Sequence, residues 1–80
     1  MLDLDHAKEL IESALPGTVA SVFWDKTHNG RHVSAFIRER DGSRSSLLHT
    51  AETFKTVRDL ADKIITLWDG TWLDDAQVKR

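Results

Sequence analysis

The side chains of this 80-residue chain that could do chemistry are four histidines, His6, His28, His32 and His49, and a serine pair, Ser45-Ser46. A metal needs several ligands converging from one side. His28 and His32 are four apart, but they straddle the turn signal Asn29-Gly30 and so cannot share a helix face. A two-residue hairpin there would set His28 opposite Arg31, whose charge repels a cation. With no cysteine and no carboxylate pair nearby, a ligand set is incomplete and no metal site is expected. Ser45, Ser46, His49 and Asp41 supply the residue types of a hydrolase triad. Neither a strained nucleophile turn nor oxyanion donors accompany them. Gly30 and Gly42 belong to hairpin signals rather than to a phosphate loop. His32 and His49 are expected to share a sheet face as solvated acid/base groups. No catalytic site and no cofactor are expected.

The element that must position these groups is Arg31–Arg40, bounded by Asn29-Gly30 on one side and Asp41-Gly42 on the other. Both dipeptides suit the two-residue loops of antiparallel hairpins, where positive φ is required. The stretch therefore reads as the middle strand of a three-stranded meander, between Thr18–Lys26 and Ser43–Leu48. If Asn29-Gly30 is a two-residue loop, Trp24 pairs with Ala35 and Val22 with Ile37. If Asp41-Gly42 is another, Arg40 faces Ser43 and Ala35 pairs with Leu48. Paired residues share a face. One face then carries Val22, Trp24, Val33, Ala35, Ile37 and Leu48. The other carries Phe23, Phe36 and Leu47 in a row, with Asp25, His32, Ser34, Arg38, Arg40, Ser45 and His49 around it.

Helices flank the meander. Asp3 and Asp5 both suit an N-cap. Leu4, Ala7, Leu10, Ile11, Ala14 and Leu15 follow within roughly 140° of arc, and Pro16-Gly17 stops the helix. Thr50 is expected to cap a second helix with Glu52 in its first turn. Its apolar residues Phe54, Val57, Leu60, Ala61, Ile64, Ile65, Leu67 and Trp68 span roughly 160°. Gly70 is placed for a C-terminal αL cap. The expected fold is α+β, a two-layer αβββα domain with a three-stranded antiparallel meander and two helices on one face. It forms a single domain over residues 1–80, with a folded core at 1–73 and a polar C-terminal tail at 74–80.

Composition narrows the function classes. The chain is 40% hydrophobic and 30% charged, with a formal net charge of −2. That balance argues against a domain held on nucleic acid by phosphate contacts. The charge is uneven, however, with Arg31, Arg38, Arg40 and Arg44 in the middle of the chain. The segment MLDLDHAKEL lacks the basic and apolar parts of a signal peptide. No apolar run approaches the ~20 residues of a membrane span. The expected address is the cytoplasm, with no membrane partner.

The element order resembles the double-stranded-RNA-binding domain and the small RNA-cleaving toxins of the HicA type. In the former, a Gly and a His open the second strand and an aromatic follows, as Gly30, His32 and Phe36 do here. Gly30-Arg31-His32 is similar to the Gly-x-His of the latter. The resemblance implies RNA binding or cleavage, with Lys26, Arg31, His32 and Arg44 as its residues. The chain departs from the RNA-binding pattern at the second helix, where Thr50-Ala51-Glu52-Thr53 replaces a lysine cluster. In size and character, small, acidic and cysteine-free, the chain also resembles phage-borne inhibitors such as anti-CRISPR proteins.

The leading expectation is a non-enzymatic protein-binding module, an inhibitor or adaptor from a phage or bacterium. It acts through the open sheet face, with Phe23, Phe36 and Leu47 as anchors, Arg38 and Arg40 as orienting charges, and His32 beside them. Aromatics at the centre and arginine at the rim are the composition of protein interfaces. Another protein is the expected partner, and nucleic acid is the lesser alternative. Self-association through the open face or the first strand's free edge is a third reading. Trp72 and Leu73 are also candidates to cover that face.

Overall fold

A computed structural model describes residues 2–26, 32–50 and 53–78, with side chains in the last stretch as far as Thr71. Its elements run α1 (Leu4–Ala14), β1 (Thr18–Asp25), β2 (His32–Glu39), β3 (Ser45–His49) and α2 (Val57–Val78). The strands form one antiparallel sheet in the order β1-β2-β3. This is the αβββα domain expected from the sequence.

Of the two candidate caps of α1, Asp3 is the one used. Its Oδ1 accepts the N–H groups of Asp5 at 3.1 Å and His6 at 3.2 Å. The helix ends at Ala14, and Gly17 turns the chain with φ +86, a conformation that glycine adopts without a Cβ penalty. Ala7 and Ile11 are buried, with Leu4, Leu10 and Leu15 packed beside them. Ala14, inside the apolar arc but in the last turn of the helix, is exposed instead.

The β2–β3 register is the expected one, Ala35 opposite Leu48 and Phe36 opposite Leu47. The turn that sets it is longer than two residues. Glu39 N–H donates to the Arg44 carbonyl, leaving Arg40–Ser43 as a four-residue loop. Within it, Gly42 N–H returns to the Glu39 carbonyl, Asp41 Oδ1 accepts Ser43 N–H at 2.9 Å, and Gly42 has φ +77. Two and four residues give the same pairing sum, so the register is unchanged.

The β1–β2 register differs from expectation by two residues. Trp24 pairs with Val33 and Val22 with Ala35. The Asn29-Gly30 turn, with His28 and Arg31 beside it, lies outside the described residues. A slip of two preserves which face each side chain occupies, whereas a slip of one would exchange the faces. The face assignment therefore survives the change of register.

The core lies between the helices and the face carrying Ala20, Val33, Ala35, Ile37 and Leu48, all buried. From α2 come Leu60, Ala61, Ile64 and Trp68, with Val57, Ile65 and Leu67 at the margin and Phe54 packing from just before the helix. Val22 and Trp24 pack against this cluster from β1.

The ends of α2 correct the sequence reading. Thr50 is not its cap: both its N–H and its Oγ1 donate to the Val33 carbonyl, extending the sheet instead. The helix begins at Val57, and Thr56 Oγ1 accepts Asp59 N–H at 3.1 Å in the manner of an N-cap. Nor does Gly70 end it. The backbone stays helical through Thr71-Trp72-Leu73 and on to Val78, so much of the expected polar tail is helix. The side chains of Trp72 and Leu73, expected as covers for the open face, lie outside the described residues. Among the described residues, no helix is long and apolar enough to cross a membrane.

Candidate functional site

The second face of the sheet carries Ser21, Phe23 and Asp25 from β1, His32, Ser34, Phe36 and Arg38 from β2, and Ser45, Leu47 and His49 from β3. Both helices contribute their apolar sides to the opposite face. Phe23 and Phe36 are each 40% exposed and Leu47 is 50% exposed. Phe36 and Leu47 are direct cross-strand neighbours, as the sequence predicts. Phe23 is not opposite Phe36. It pairs with Ser34, and Ser21 faces Phe36, so the two phenylalanines are diagonal neighbours. Diagonal positions lie roughly 7–8 Å apart, within reach of aromatic rings. The row is a staggered patch rather than a straight line.

Below this patch the sheet holds a polar cluster. Ser34 is fully buried, although it lies on the sheet face opposite the core. Its hydroxyl donates to Asp25 Oδ2 at 3.2 Å and meets His49 Nδ1 at 2.9 Å. His49 Nδ1 also lies 3.4 Å from Asp25 Oδ2. Since Ser34 Oγ–H is given to Asp25, the hydroxyl oxygen accepts from a protonated Nδ1. This leaves Nε2 as the outward nitrogen of a ring whose side chain is 60% exposed, while that of Asp25 is 13% exposed. The trio shares its types with a hydrolase triad but not its connectivity. In a triad the serine meets one imidazole nitrogen and the carboxylate the other. Here both meet Nδ1, and the serine is out of reach of a substrate. What remains is a histidine oriented by a carboxylate, which can accept a proton or a hydrogen bond at the surface.

The sequence contained the signal for this cluster. The β2–β3 pairing that set Ala35 opposite Leu48 also sets Ser34 opposite His49. Asp25 belongs to the same face on the neighbouring strand. Ser45, Ser46 and Asp41, the other residues of a triad type, are not part of it. Ser45 is exposed at the start of β3, and the Asp41 carboxylate is occupied in its own turn. The Ser43 hydrogen bonds hold that carboxyl below the usual aspartate range.

The charged candidates divide. Arg38 is exposed on the open face. Arg40 lies past the end of β2, where its N–H donates to the Gly17 carbonyl. It is near enough to Glu12 to help lower the pKa of that carboxyl. His32 is half-buried opposite Asp25, and Lys26 is exposed just beyond β1. Arg31 lies outside the described residues. Arg44 is only 8% exposed. Its guanidinium carbon sits 3.7 Å from the centroid of the Trp68 ring, and Nη2 donates to the Trp68 carbonyl and to Thr71 Oγ1. It thus ties the β2–β3 connection to α2, and is not displayed for an RNA phosphate.

Among the described residues, no group of three or more His, Cys, Asp or Glu side chains could hold a metal ion. A shallow depression lined by Thr53, Phe54, Lys55, Asp59, Asp62, Lys63 and Thr66 opens beside the start of α2. None of its residues belongs to the sheet, and it carries charges of both signs. The open face is therefore the surface with the strongest physical claim to a ligand. No protein-family model, curated protein or solved structure matches the chain.

Proposed function

We propose that the protein is a non-enzymatic protein-binding module, an inhibitor or adaptor of phage or bacterial origin, that holds one partner against its open sheet face. The observation that carries this reading is the exposure of Phe23, Phe36 and Leu47 together on one face. Clustered large apolar side chains left in water mark interaction surfaces. Their surroundings favour a partner whose apolar centre is bordered by carboxylates. Arg38 is exposed beside Phe36, whereas Asp25, an acid of the same face, is largely withdrawn and engaged by Ser34 and His49. Phe23, Phe36 and Leu47 anchor the partner, Arg38 orients it, and Arg40 and His32 contribute at the ends of the patch.

The test is a pull-down from the native host with the tagged wild-type chain and with Phe36→Asp. The reading expects a protein retained by the first and lost by the second, the two baits having matching circular dichroism. Equal retention by both, or a Phe36→Asp chain that does not fold, overturns it.

One observation favours a second reading, RNA binding or cleavage. The His49 ring, oriented by Asp25 and Ser34, presents its outer nitrogen on the same face as two phenylalanines able to stack bases. Lys26, Arg31 and His32 would supply the remaining contacts, without Arg44. A binding constant for single-stranded RNA that falls steeply with salt supports that reading, and no RNA binding at low salt dismisses it.

A further inference from the structure

The two edges of the sheet are finished differently. In an antiparallel strand, alternate residues turn their N–H and C=O groups toward opposite neighbours. On β1 the outward set is even-numbered, since Gly17 accepts from Arg40 on the inner side. Thr18 N–H donates to the Leu15 carbonyl at 3.2 Å, and Ala20 N–H to Glu12 Oε2 at 2.8 Å. The Glu12 carboxylate is itself held by Lys8 Nζ at 2.6 Å. Helix α1 thus closes the first half of this edge.

On β3 the inward set is even-numbered, because Thr50 N–H and the Arg44 carbonyl both bond to β2. The outward groups are those of Ser45, Leu47 and His49. Among the described residues, nothing bonds to their backbone N–H or C=O groups. All three residues are exposed. The strand, Ser-Ser-Leu-Leu-His, has no proline, lysine or carboxylate, the groups with which sheet edges repel further pairing.

The geometry points to a second copy of this chain as the occupant of the β3 edge, in antiparallel pairing about a two-fold axis through Leu47. Leu47 is the middle residue of Ser45–His49, so one axis pairs the whole strand with itself. Leu47 meets Leu47 of the other copy, and Ser45 meets His49. Every outward residue then faces an outward residue, as hydrogen-bonded antiparallel pairs require, and no two like-charged side chains oppose each other. The product is a six-stranded sheet in which the Phe36–Leu47 pairs of both copies adjoin. Such a short pairing gives a weak, concentration-dependent dimer. The inference does not rest on the open face binding a foreign protein.

Sedimentation of the full chain across a wide concentration range tests it. The wild type should pass from the 9.1 kDa monomer toward twice that mass. Ser45→Pro removes an outward donor at the first residue of an edge strand, where proline is tolerated. It should keep the circular dichroism and remain monomeric. Should Ser45→Pro fail to fold, Leu47→Lys, which sets two cations across the axis, replaces it with the same expectation. Phe36→Asp, in the central strand, should still dimerise. A wild type monomeric throughout, or edge variants that dimerise like the wild type, overturns the proposal. Loss of the dimer only in Phe36→Asp would likewise overturn it, assigning self-association to the open face.

Discussion

Glu12 shows how much a single side chain decides here. Its carboxylate accepts from Lys8 and from the Ala20 backbone, and these two bonds, Lys8 first, hold its pKa below the ordinary glutamate value. A carboxyl that is more acidic in the folded than in the unfolded chain stabilises the fold above its unfolded pKa. That contribution is lost as pH falls through the folded value. Urea titrations of the wild type and Glu12→Gln should therefore differ at pH 7, with the wild type more stable. The difference should close as the pH falls through the folded carboxyl's pKa, below the ordinary glutamate value. Glu12→Ala also leaves Ala20 N–H without its acceptor, and should be less stable than Glu12→Gln at every pH. The buried hydroxyl of Ser34 acts similarly between Asp25 and His49. Ser34→Ala should cost about 1 kcal/mol in chemical denaturation, the usual net value of a buried hydrogen bond. Both residues are easy to overlook in the sequence, because their importance comes from what the fold brings to them. Glu12 reads as one more solvated acid of an amphipathic helix until β1 is laid beside it.

At the scale of elements, the sequence was most legible where burial enforces a period. The apolar positions of α1 and α2 and the two faces of the sheet were readable because a wrong face would place Ile37 or Leu48 in water. Register was less legible. Moving β1 along β2 by two residues exchanges Ala35 for Val33 opposite Trp24, and either neighbour fits the core. Hydrophobic patterning constrains parity strongly and register weakly. Helix ends were the least legible. Thr50 and Glu52 have the types of a cap and first turn, but the Thr50 donors go to Val33. The signal that mattered was Thr56-x-x-Asp59, one turn later. Gly70 had the type of a C-cap, yet the residues after it continue the helix. Gly70→Ala tests this directly. A methyl there meets nothing within 4 Å. In a helix interior alanine is favoured over glycine by roughly 0.5–1 kcal/mol. A higher melting temperature is expected; a lower one would place Gly70 in a left-handed cap.

The whole molecule is a sheet with one occupied face and one available face. Both helices are committed to the first, and Arg44 pins the β2–β3 connection to α2 through Trp68 and Thr71. The second face keeps Phe23, Phe36 and Leu47 in water around a polar cluster that holds its own carboxylate back. The proposed recognition of a partner depends on that division, as does the candidate site read from the sequence, where Phe36 and Leu47 were correctly adjacent and Phe23 was shifted only along its strand. Phe36 and Ile37 are neighbours in β2 on opposite faces, one 40% exposed and the other fully buried. Thermal unfolding of Phe36→Asp and Ile37→Asp compares the faces with the same substitution in the same strand. Phe36→Asp should keep a cooperative transition within a few degrees of the wild type, and Ile37→Asp should abolish it. If Phe36→Asp loses the transition instead, the face is core and the account of this protein as a binding surface is wrong.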